Sequence, residues 1–176
     1  MGVDSTNSLI PVLRCVDRLS PSELDVLTEL LVACVDGGAS LGFHAPLAPD
    51  KARNWWTGFP RDGVILLVAE LEGRIVGTVQ LHAAESENGT HRSEVAKLLV
   101  HPVWRRRGIA GTLMTALEVE ARATGKTLLV LDTREGDPSN ALYHALGYRE
   151  AGRIPNWARD SAGTLSATVF WSKLLA

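Results

Sequence analysis

Two carboxylates and one run of arginines are the groups in this 176-residue chain best placed to do chemistry. Glu94 opens the apolar run 95–100, where strand alternation puts it on the face of Ala96, Leu98 and Val100. Asp132 closes the apolar run 127–131, on the face of Leu128 and Val130. If the two runs are parallel neighbours, both acids reach the crevice at the strand C-terminal ends, where open α/β sheets bind ligands. A carboxylate there holds an ammonium group or takes its proton, directly or through one water. The plain alternative is a strand-end carboxylate in water, which fits Asp132, after four apolar residues, less well. Arg105, Arg106 and Arg107 stand before Gly108, and Ile109, Leu113, Leu117 and Ala121 then recur at helical spacing. The start of a helix carries unpaired N–H groups and the positive end of its dipole, and Gly108 lets an anion approach the backbone closely. The combination reads as a phosphate site. On charge alone an arginine triplet is a solvated turn, and the glycine spacing is neither that of a P-loop nor that of the dinucleotide fingerprint.

Positioning these groups takes a sheet and its helices. Residues 9–16 read as a first strand, confined to an edge by Pro11. Ser20-Pro21 with Glu23 is a capping box opening a helix whose stripe is Leu24, Leu27, Leu30, Leu31 and Cys34, ended by Gly37-Gly38. A short helix is expected over 49–56. Strands follow over 64–71 and 74–84, joined at Glu72-Gly73, and a looser turn at 87–89 leads into the strand that stops before Pro102. The 109–121 helix and the 127–132 strand complete a right-handed parallel βαβ unit. Asp137-Pro138-Ser139 starts a short helix, capped by Asn140, with Ala141, Leu142 and Ala145 as its stripe, Tyr143 turned away from it and Gly147 as stop. Strands over 148–154 and 165–174, joined by the 156–164 loop, end the chain. The expected fold is one mixed α/β domain over 1–176, ordered β-α-α-β-β-β-α-β-α-β-β.

Arg105-x-x-Gly108-x-Ala110 directly after Val100-His101-Pro102, with Asn140-Ala141-Leu142-Tyr143-His144-Ala145-Leu146-Gly147-Tyr148, resembles the two signatures of the GCN5-related N-acetyltransferases (GNAT). The signatures and the strand between them cover residues 94–148, and the topology is similar over the rest. More narrowly, residues 37–43, Glu94-Val95-x-Lys97-Leu98 and Leu131-Asp132-Thr133 look like the tabtoxin-resistance subgroup. The resemblance implies the GNAT (acyl-CoA N-acyltransferase) fold, a mostly antiparallel sheet around one parallel β-α-β unit. It implies acetyl-CoA as cosubstrate, with pantetheine along Leu98, Leu99 and Val100 and pyrophosphate in the loop Arg105, Arg106, Arg107, Gly108, Ile109, Ala110, Gly111 and Thr112. It also implies that Tyr143, by itself a packing residue, protonates the departing thiolate, and that Asn140 touches the coenzyme. Acetyl transfer to an amine needs a donor to the carbonyl oxygen, for which a backbone N–H near Leu99 or Val100 serves, and removal of a proton, the task of Glu94 and Asp132.

The function expected is transfer of acetyl to the primary amine of a small, amino-acid-like toxin or antibiotic, by direct attack in a ternary complex. Phe43, Trp55 and Trp157, with Glu94 and Asp132, are expected to bind that acceptor. The alternatives are a lysine or N-terminal protein acetyltransferase and a non-catalytic acyl-CoA-binding regulatory module. A net charge of −2 argues against a general nucleic-acid binder, and no apolar run approaches the roughly 20 residues of a membrane span. No metal is expected, because His82, His91, His101 and His144 share no ligand spacing. Cys15 and Cys34, without metal or redox spacing, read as buried thiols, and with no signal-peptide pattern the cytoplasm is the expected compartment. Whether two chains pair as a homodimer is left open.

Overall fold

The computed structural model describes residues 10–175, so Leu9, the expected start of the first strand, lies outside the described residues. Seven strands and four helices follow in chain order: β1 (Val12–Cys15), α1 (Pro21–Asp36), α2 (Pro49–Thr57), β2 (Val64–Leu71), β3 (Arg74–Ala83), β4 (Arg92–Val100), α3 (Ile109–Ala123), β5 (Leu128–Arg134), α4 (Ser139–Ala145), β6 (Arg149–Arg159) and β7 (Leu165–Leu174). The strands form one sheet ordered β1-β2-β3-β4-β5-β7-β6, antiparallel except between β4 and β5. Both faces are covered, which is why β2 buries Leu66, Leu67, Val68 and Ala69 in succession instead of alternating. On one face Leu113, Met114 and Leu117 of α3 pack on Val79, Leu81, Val95, Leu129 and Leu131. On the other, Leu27, Leu30 and Leu31 of α1 and Trp56 of α2 pack on Leu66, Val68, Ile75 and Leu99. The expected capping box opens α1: Ser20 N donates to Glu23 Oε2 at 2.8 Å and Glu23 N donates to Ser20 Oγ at 3.3 Å.

Two departures shape the middle of the sheet. Gln80 pairs with Ala96 but Thr78 pairs with Leu99, so Val79 faces two residues, Lys97 and Leu98. This β-bulge holds Lys97 at φ 51, and Thr78 Oγ1 donates to the Lys97 carbonyl at 3.0 Å. In addition, β4 and β5 pair only from Arg92 to Glu94 and from Leu128 to Val130, and beyond those positions they part. The backbone of β4 from Ala96 onward therefore has β3 on one side and no strand on the other.

Other boundaries moved. β5 runs two residues past Asp132, and β6 continues to Arg159 through Pro155, where a loop was expected. Pro155 is tolerated because β6 is the sheet's edge and its register shifts between Ile154 and Ala158. Cys15 is exposed, not buried, and both cysteines are free. In α4 the expected stripe holds only in part: Leu142 is half-buried, but Ala141 and Ala145 are exposed and Tyr143 is buried. None of the described helices is long and apolar enough to cross a membrane.

Candidate active site

The parting of β4 and β5 opens a cavity of about 340 Å³. Its walls bring together Glu94 and Leu98 of β4, Asp132 of β5, Tyr143 of α4 and Trp157 of β6, five residues expected in the site. Residues 39–42 form one wall, and Lys97 of the bulge and Arg134 also line the space. Phe43 instead lines a neighbouring hollow of about 290 Å³, which shares Ala39, Ser40, Arg134 and Ala158 with this one. Trp55 does not line the cavity and stands edge-on to Phe43 at 6.5 Å and to Trp56 at 4.8 Å. Trp157, half exposed in β6, stands edge-on to Phe170 at 5.5 Å.

The common face expected for Glu94, Leu98 and Val100 does not survive the bulge. An extra residue inverts the alternation, so Leu98 and Val100 pack toward α3 while Leu99 turns to α1 and α2. Glu94 keeps the α1/α2 side, opposite His82 and two pairs from Ala96. Asp132 is on that side too, since Leu129 and Leu131 point toward α3. Both acids are exposed. Thr168, fully buried beneath Asp132, donates from Oγ1 to its Oδ2 at 2.7 Å, whereas the Glu94 side chain makes no hydrogen bond among the described residues.

Tyr143 reaches the cavity from the α3 side of the sheet, its ring held by Tyr148 at 5.9 Å and Trp171 at 6.4 Å between centroids. Burial pushes the phenol well above its ordinary value of 10, Asp137 adds to the rise, and the Ser139 hydroxyl opposes it. Asp137 Oδ1 accepts from Ser139 N at 2.9 Å and Ser139 Oγ at 2.7 Å, so the cap expected from Asn140 is supplied by Asp137. Asn140 fastens the turn instead: Nδ2 donates to the carbonyls of Arg134 and Asp137 at 2.9 and 2.8 Å, and Oδ1 accepts from Trp171 Nε1 at 3.2 Å.

The arginine loop lies outside the cavity, at the entrance to α3. Arg105 Nε donates to the Val100 carbonyl at 3.1 Å, tying the loop to the end of β4. Arg106 has φ 62, and the Arg107 guanidinium lies 4.7 Å from the Trp104 ring. Gly108 sits at φ 79 as the N-cap of α3, and no side chain caps the helix. Ile109 is buried, Ala110 and Gly111 are half-buried, and Thr112 N is bonded to the Gly108 carbonyl at 3.0 Å. A Cβ on Gly111 would stand 4.0 Å from Leu142, so the helix start abuts α4.

Sequence reasoning gave no role to Lys97, Arg134, Ser139 or Thr168. For Lys97 a signal existed, a lysine inside an apolar strand, but nothing in the residue order marks the bulge on which it sits in the cavity wall. Among the described residues no cluster of His, Cys, Asp or Glu is arranged to hold a metal ion.

Residues 28–148 match the model of the Acetyltransferase (GNAT) family. The chain is 34% identical over 125 residues to an N-acetyltransferase, itself uncharacterised, from the hisH–hisA intergenic region of Azospirillum brasilense, covering 68% of this chain and 73% of that one. Its fold is similar to that of a ribosomal-protein-alanine N-acetyltransferase from Brucella melitensis, with TM-score 0.79, 25% identity and coverage of 93% and 99% of the two chains. It is also similar in fold to an aminoglycoside 6'-N-acetyltransferase complexed with coenzyme A, with TM-score 0.75, 18% identity and coverage of 94% and 97%. The chain belongs to the GNAT family of acetyltransferases and is an acetyl-CoA-dependent N-acetyltransferase.

Proposed function

We propose that the acceptor is the primary amine of a small, amino-acid-like molecule, such as a toxin or antibiotic of that chemistry, which attacks the thioester directly in a ternary complex. The observation that carries this reading is one cavity holding Glu94, Asp132 and Tyr143 beside the free edge of β4. About 340 Å³ suits a small molecule, and the wall at 39–42 narrows it against a protein segment.

The residues fit acetyl-CoA. The edge of β4 beyond Glu94 offers backbone donors and acceptors to an extended amide arm, along Leu98, Leu99 and Val100. The uncapped start of α3, Gly108 at φ 79 and the charges of Arg105, Arg106 and Arg107 suit a pyrophosphate, with the backbone from Ile109 to Thr112. The bound coenzyme supplies an activated acetyl group. A backbone N–H near Leu99 or Val100 donates to the acetyl oxygen as charge develops on it. Glu94 and Asp132, on one side of the sheet, hold the incoming ammonium and take its proton directly or through a water. Tyr143, on the other side, gives its phenolic proton to the sulfur as the carbon–sulfur bond breaks, and regains one from solvent. Asn140 contributes by holding the turn that carries Tyr143.

A second reading, an N-terminal peptide acceptor, is favoured by the likeness to the ribosomal-protein-alanine enzyme. Thiol release from acetyl-CoA over amino acids, amino sugars, polyamines and alanine-ended peptides separates the two. The expected result is turnover of a free small amine, and turnover of the peptides alone overturns the proposal. Arg107→Ala is expected to weaken coenzyme A binding about tenfold, with a shallower dependence on salt, measured by calorimetry at two ionic strengths. Unchanged affinity removes Arg107 from the phosphate site.

A further inference from the structure

Lys97 is held in a conformation that a side chain-bearing residue adopts only under constraint, at φ 51 on the β4 bulge. Lys97 is one of the residues that line the cavity, and its ammonium stands near residue 41 of the wall and the ring of Trp55. There Nζ donates to the Leu41 carbonyl at 3.3 Å and lies 5.3 Å from the centre of the Trp55 ring. An ammonium has three donors, and this is the one hydrogen bond that Nζ makes among the described residues. No carboxylate among them lies within 4.0 Å of Nζ. Burial pushes the Lys97 ammonium below its ordinary value, Glu94 and Asp132 oppose that from farther away, and Arg61 adds to it.

Arg134, the other cation of the cavity wall, is already engaged. Its Nη2 donates to the Gly38 carbonyl at 3.0 Å and stands 3.6 Å from Asp137 Oδ2. The cavity thus presents two carboxylates suited to an ammonium and, beside them, one half-buried ammonium short of a counter-ion. A half-buried charge without a close partner gains more from an arriving opposite charge than an exposed one does. An acceptor carrying an amine alone satisfies half of this arrangement.

We propose that Lys97 is a specificity-determining residue whose ammonium binds a carboxylate on the acceptor, so that the enzyme acetylates amino acids in preference to amines lacking the acid group. This rests on the small-amine reading above and goes beyond it in naming the group recognised and the residue that recognises it.

The test uses the full chain with acetyl-CoA and a panel of amino acids, each beside its methyl ester and its decarboxylated amine. The wild type is expected to prefer the free acids. Lys97→Met is expected to lower kcat/KM for the acids about 30- to 100-fold, chiefly through KM, and for the esters and decarboxylated amines less than about threefold. Lys97→Arg retains the preference, and calorimetry with coenzyme A shows both variants folded. Equal losses on acid and ester would show that Lys97 merely braces the wall, and overturn the proposal. So would a wild type that does not distinguish them, which leaves the small-amine reading standing. A wild type that acetylates peptides and no free amine overturns both.

Discussion

Replacing Tyr143 with Phe is expected to lower kcat about 100- to 1000-fold and to change coenzyme A affinity less than about threefold. The separation follows from where the residue sits. Its ring is buried against Tyr148 and Trp171, and those contacts survive loss of the hydroxyl, so neither the core nor the coenzyme cleft should move. What disappears is the proton. Burial and Asp137 hold the phenol above its ordinary range, so it stays protonated throughout neutral pH and yields its proton only to a base formed beside it, such as a departing thiolate. The sign of the shift means that activity in the wild type should not fall on the alkaline side at the ordinary tyrosine value of 10 through this group. Steady-state thiol release and calorimetry read the two quantities independently. A kcat within threefold of wild type, or an affinity that falls in step with kcat, would remove Tyr143 as the acid.

The double variant Glu94→Gln, Asp132→Asn should lose about 1000-fold in kcat/KM at neutral pH, and each single variant about tenfold. The two acids come from neighbouring strands onto one side of the sheet and line one cavity, so a water between them and the amine can pass its proton to either. Deleting one leaves that route open, and deleting both closes it. Because the deficit is one of deprotonation, it should shrink above about pH 10, where a primary amine loses its proton to bulk water. The Thr168 hydroxyl, which donates to Asp132, can donate equally to the amide oxygen of the substituted side chain, so the strand ends should keep their places. A pH–rate profile for the double variant that runs parallel to the wild type would show that neither carboxylate handles the proton.

What the residue order determined was the architecture and the chemical inventory. Local rules suffice for these: Ser20-Pro21 with Glu23 starts α1, Glu72-Gly73 turns the hairpin, and Gly108 before the stripe of Ile109, Leu113 and Leu117 starts α3. Each acts within a few residues of itself, so each is readable in a linear text. Glu94, Asp132, Leu98, Tyr143 and Trp157 were named from the chain and meet in one cavity. Tertiary structure decided how they face. The β4 bulge is set by pairing with β3 across the sheet and by the Thr78 hydroxyl, not by any turn residue in β4, and it moved Leu98 and Val100 off the side of Glu94. Tyr143 is buried because Tyr148 and Trp171 come to it from beyond α4 and from β7, while Ala141 and Ala145 on the same helix are exposed. Lys97 entered the site for the same reason. The path of a side chain is fixed by which strand lies alongside, and that is a contact between distant residues rather than a property of neighbours.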